Sequence, residues 1–171
     1  MLGFKLKQYF IKKRIDKFTK TNSTDSHAKT TVIKSIGIIT LDNFSKEHDF
    51  SEILIQKFQR RNPKMYSFRK FSKDDVKSYK HFSEKDFNWK GQVVDTSLQS
   101  FLEEPFDLLI CFFSKKNMYL EYAVRSSNAS FKVGFSEVMS QVYDLEIACD
   151  PDEAAVFFDE MKKYLEILKK L

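Results

Sequence analysis

The run Phe106-Asp107-Leu108-Leu109-Ile110-Cys111-Phe112-Phe113 is apolar at every position but one, and it restricts the fold more than any other segment. Successive side chains of a strand point to opposite faces, so a strand apolar throughout must be covered on both. In a chain of 171 residues that places it at the centre of a mostly parallel sheet with helices on each side. The neighbouring segments alternate accordingly. Val32 to Leu41 is a β-branched apolar run with the length of a buried strand. Asp49 with Glu52 three positions on forms a capping box, and Ile53, Leu54 and Phe58 then recur at helical spacing until Asn62-Pro63 stops the helix.

Met65 to Phe71 alternates as a strand, and a helix over Thr96, Leu98, Phe101 and Leu102 ends before Pro105. After the central strand, Ser114 is expected to cap a helix carrying Tyr119, Tyr122 and Ala123, followed by strands at Phe131 to Phe135 and at Leu145 to Ile147. The last helix reads Asp150 at N-cap, Pro151 at N1 and Glu153 at N3, with Phe157, Met161, Leu165 and Leu168 along one face. This order predicts an α/β fold: a single open, doubly wound, Rossmann-like sheet of about five strands with helices on both faces. Residues 72 to 94, which include Trp89 and Gly91, read as loop with a short helix.

Charge divides the chain unevenly. Of a formal net charge of +5, residues 1 to 20 carry Lys5, Lys7, Lys12, Lys13, Arg14, Lys17 and Lys20 against Asp16 alone, so the remainder is close to neutral. On a helical wheel Phe4, Ile11, Ile15 and Phe18 share one narrow arc, and the segment is a basic amphipathic helix. Two readings stay open: its apolar stripe packs on the domain while the lysines are solvated, or it is an arm that docks on an acidic surface. The polar stretch 21–31 reads as a linker, which gives an arm (1–20), a linker (21–31) and an α/β domain (32–171).

In such a sheet ligands bind beyond the carboxyl ends of the strands. That rim would hold Asp42, Ser114, Ser136 and Asp150, a possible ligand set without a catalytic pattern. The first loop, LDNFSKEHD, has no glycine to let backbone N–H groups close on a phosphate. Asp42 and Asp49 at a strand-to-helix turn have the residue type for general base or metal work, although Asp49 serves as a cap and Asp42 fits a turn. His27, His48 and His81 match no ligand spacing, so no metal or cofactor is expected. Cys111 reads as a core residue, and Cys149 precedes a helix N-terminus that would favour its thiolate. Lys57, Arg60, Arg61 and Lys64 form a second basic cluster at a helix end.

Two resemblances bear on the fold. Phe106 to Ile110, a helix, and then Ala129 to Phe135 resemble the amino-terminal half of heptosyltransferase-type glycosyltransferases, which implies the same sheet. Such enzymes carry a Gly-Asp pair where this chain has Asp42-Asn43-Phe44. Trp89-Lys90-Gly91, Pro105 to Leu109, Phe131 to Phe135, Asp144 to Ile147 and Lys163 to Leu168 are together similar to a family of small bacterial proteins of unknown function.

The expectation is a non-catalytic cytoplasmic α/β module that docks through Lys5, Lys7, Lys12, Lys13, Arg14 and Lys17 on an acidic protein, RNA or an anionic membrane surface. Sequence-specific DNA binding is not expected. The alternatives are a small enzyme or ligand binder using the rim residues, and a peripheral protein held to the inner membrane face by the arm.

Overall fold

The computed structural model describes residues 2–21, 32–59, 62–73, 80–139 and 141–171. At its centre β4 (Leu108–Phe112) is buried at every position, as a strand covered on both faces must be. It pairs in parallel with β1 (Ile36–Leu41) on one side and β5 (Lys132–Phe135) on the other. Outside these lie β2 (Lys64–Phe68), β3 (His81–Phe82) and β6 (Leu145–Ile147). The sheet of the described residues is six-stranded, parallel throughout, with the order β3-β2-β1-β4-β5-β6, one strand more than the sequence predicts. The added strand is β3, whose two residues are too few to show alternation.

Side-chain alternation sorts the core into two layers. On one face Phe112 meets Phe50 of α3 (Phe50–Phe58) at 5.2 Å and Phe157 of α6 (Ala154–Ile167) at 5.2 Å. Phe44 of α2 (Asp42–Glu47) stands edge-on to the same ring at 5.4 Å. On the opposite face Tyr66 packs on Phe101 of α4 (Thr96–Glu103) at 4.9 Å, and Phe68 stacks on Tyr119 of α5 (Met118–Ser126) at 5.5 Å. Such pairs contribute beyond the area they bury.

Outside α5 lies α1 (Leu2–Thr21). Ile11 is fully buried and Ile15 nearly so, while Phe18 meets Tyr122 edge-on at 5.6 Å. The apolar stripe of the helix therefore packs on the domain, the first of the two readings, because apolar side chains gain by burial. Phe4, on the same arc, is 54% exposed. Of the expected linker 21–31, Thr21 belongs to α1, and residues 22–31, with His27, lie outside the described residues, as do Arg60 and Arg61.

Several boundaries differ from expectation for local reasons. The first strand starts at Ile36 rather than Val32, because the Lys34 and Ser35 amides donate to the Asp107 carboxylate instead of joining the ladder. Asn117, not Ser114, caps α5, its side chain accepting from the Tyr119 and Leu120 amides. Asp150 caps a turn, not a helix: its side chain accepts from the Asp152 amide and its carbonyl from the Glu153 amide, and α6 begins only at Ala154. Asp49 caps α3 as predicted, accepting from the Glu52 amide at 3.0 Å.

Candidate functional site

Residues 88–92 form a tight turn around Asn88, whose side-chain oxygen accepts from the Lys90 and Gln92 amides. Gly91 sits at φ +67°, and a Cβ there would come within 2.7 Å of the Ile11 backbone nitrogen. Glycine is needed both for the left-handed backbone and for the closeness of the helix. Across this contact Arg14 Nε donates to the Lys90 carbonyl at 3.1 Å, and Lys7 Nζ donates to the Glu84 carbonyl. Burial lowers the Lys7 ammonium below the ordinary lysine value, against the opposing pull of Glu84 and Asp86.

Between helix and turn runs a groove of about 690 Å³, lined by Phe10, Lys13, Arg14, Asp16, Lys17, Trp89 and Lys90. Trp89 is the chain's sole tryptophan and is 56% exposed. Phe10 holds it edge-on at 6.1 Å, and the Lys90 ammonium is 5.1 Å from its ring centre. Four cations and one carboxylate thus line a groove that also presents an exposed aromatic ring. Of the basic residues proposed from sequence, Lys13, Arg14 and Lys17 line this groove. Lys7 turns inward to the body, and Lys5 and Lys12 are exposed elsewhere on the helix. Trp89 and Lys90 were missed as site residues, although a lone Trp-Lys-Gly in a polar stretch is a turn with an aromatic to place.

The sheet rim is arranged differently. Strand order reverses between β1 and β4, and the crevice of a doubly wound sheet lies beyond their carboxyl ends. Asp42, Ser114, Ser136 and Asp150 each follow a strand there, and Asp42 Oδ1 is buried without a hydrogen-bond partner. Asp42 Oδ2 accepts from Lys46 Nζ at 2.7 Å, and the Ser136 amide donates to the Ile147 carbonyl at 3.0 Å. Thr40 Oγ1 donates to the Phe112 carbonyl at 2.7 Å, tying β1 to β4. Directly after β1, α2 places the buried Phe44 where a phosphate-binding fold has its glycine loop.

Asp42, His81 and Ser67 come together here, which the sequence did not indicate, yet not as a relay. Ser67 Oγ bonds to His81 Nδ1, and Asp42 Oδ1 lies 3.4 Å from that same nitrogen. A serine nucleophile needs its base and its orienting carboxylate on different ring nitrogens, and Ser67 is fully buried. At Cys149 burial first, then Glu153 and Asp150, raise the thiol above the ordinary value. The helix dipole expected to favour its thiolate is displaced by the later start of α6. Cys111 is buried in β4 with its thiol raised by burial. Among the described residues no group of three His, Cys, Asp or Glu side chains is placed to hold a metal ion, and no helix is long and apolar enough to cross a membrane.

The fold and the groove together define a parallel α/β domain of Rossmann-like strand order whose outermost helix carries a cationic, aromatic-lined cleft. Within that class the chain belongs to a family of unknown function, DUF6913, whose model matches residues 7–168 and so takes in most of α1 as well as the sheet. No curated protein and no solved structure matches it.

Proposed function

We propose that the protein is a binding module whose working surface is the groove between α1 and the 88–92 turn, and that its partner is a polyanion. The observation that carries this reading is the convergence of Lys13, Arg14, Lys17 and Lys90 on one concave site around an exposed indole. Outside the first 20 residues the chain is close to neutral, so the attraction for an anion is concentrated on α1 and the turn it rests on.

Because α1 is packed on the body, charge reversal is a better test than deletion. Trp89 reports on its own site: titrating the protein with heparin at low salt is expected to change its emission saturably. The affinity should fall as salt rises, and Lys13→Glu combined with Lys90→Glu should abolish binding while the circular dichroism stays native. An unaltered affinity in the charge-reversed protein would place the binding surface elsewhere.

A further inference from the structure

We propose that this groove binds single-stranded RNA, with one unstacked base on Trp89 and the flanking phosphates on Lys13, Arg14, Lys17 and Lys90. The inference rests on the polyanion reading above and narrows it to one chemical class.

The first argument is the indole itself. A large aromatic ring left more than half exposed, at the lip of a cationic cleft, is suited to receive a flat π-face. Heparin, which has no π-face, would use the cations without stacking on the ring. The ring is also held in place: Phe10 packs against it, and the turn beneath is fixed by the two amide bonds to Asn88. An ordered platform loses little entropy when a base stacks on it.

Asp16 supplies the second argument. A carboxylate lining a cleft of four cations repels a ligand made only of anionic groups. It suits one that also brings donors, and RNA brings two kinds: base N–H groups and the ribose 2′-hydroxyl. DNA lacks the second. A duplex keeps its bases stacked and cannot offer one to Trp89, so the strand must be single. A planar bilayer cannot enter a concave groove. The volume, about 690 Å³, lies within the usual range of sites that enclose small organic groups.

The test is fluorescence anisotropy of a labelled ten-nucleotide RNA of mixed sequence with the full chain, set beside heparin binding by calorimetry. Saturable RNA binding is expected, with log affinity falling against log salt at a slope of about −2 if three phosphates are engaged. Trp89→Ala should weaken RNA about 5- to 150-fold, the range for loss of one stacked base, and change heparin affinity by less than about twofold. Trp89→Phe should retain part of the RNA affinity, which guards against a merely misfolded alanine variant. The deoxy oligomer should bind more weakly than RNA, and Asp16→Asn should reduce that difference.

If Trp89→Ala leaves RNA affinity within twofold while heparin still binds, the nucleic-acid inference falls and the polyanion reading stands. Competition by phosphatidylserine vesicles as effective as unlabelled RNA, or equal affinity for DNA, would likewise overturn it. If neither RNA nor heparin binds at low salt, both readings fall together.

Discussion

Replacing Ile11 by alanine tests whether the amino-terminal helix is a working part of the fold. Ile11 is fully buried, and its backbone nitrogen lies against Gly91 of the turn that completes the groove. The substitution removes three carbon atoms, about 2.4 kcal/mol at roughly 0.8 kcal/mol each. The cavity left against a rigid turn adds about 1 kcal/mol by the usual large-to-small scale, while alanine's better helix propensity returns a few tenths. The expected loss is about 3 kcal/mol. With a urea m-value of about 2 kcal/mol/M, the unfolding midpoint should drop by about 1.5 M. Far-ultraviolet circular dichroism and Trp89 emission should report one coincident transition, since helix, turn and sheet unfold together. Phe4→Ala, on the same arc but exposed, should cost no more than about 0.5 kcal/mol. A midpoint for Ile11→Ala within about 0.3 M of the unaltered protein, or an early separate Trp89 transition, would refute the packing argument and with it the groove.

Gly91→Ala should destabilise by about 2–4 kcal/mol, since left-handed strain of about 1–2 kcal/mol is joined by overlap with the Ile11 backbone; thermal unfolding reads this, and a neutral effect would mean the helix sits further off. Gly134→Ala should cost about 1–3 kcal/mol by displacing the Tyr143 ring, and a new Tyr143 environment in the near-ultraviolet dichroism should accompany it. Asp49→Ala should remove the α3 cap at a cost of about 1 kcal/mol in urea unfolding. At Asp107 burial acts to raise the carboxyl, but the bonds from the Ser35 and Lys34 amides and the Ser35 hydroxyl outweigh it, so the folded value lies below the ordinary one. A depressed folded value means stability that is complete above the unfolded value, about pH 4, and is lost as pH falls through the folded one. Asp107→Asn should therefore be less stable at neutral pH and flatter on acidification; an acid limb as steep as the native one would contradict the assignment.

How much of this was legible in the sequence depends on the range of the signal. The central strand, the Asp49 cap and the helix over Thr96 to Leu102 were all readable because their patterns are local: alternation, period and cap lie within a few residues of one another. The caps at Ser114 and Asp150 were misassigned because several nearby polar residues had the right chemistry, and only backbone geometry chose Asn117 for one helix and a turn for the other. Strand β3 escaped notice for want of length. The groove was half visible. Its basic residues stood out in the helix, but which of them face it and which turn inward, as Lys7 does, was not encoded in their spacing.

From its own pattern the chain determines an α/β sheet with a doubly covered central strand, because burial on two faces demands an unbroken apolar run of strand length between turn and cap signals. It also determines a basic amphipathic helix at its start. Where that helix goes was decided by tertiary structure: Arg14 and Lys90 are bonded across 76 positions of sequence, and Gly91 admits Ile11 only because the fold brings them together. Contact between distant segments depends on the shape each presents after folding, and no short-range periodicity records it.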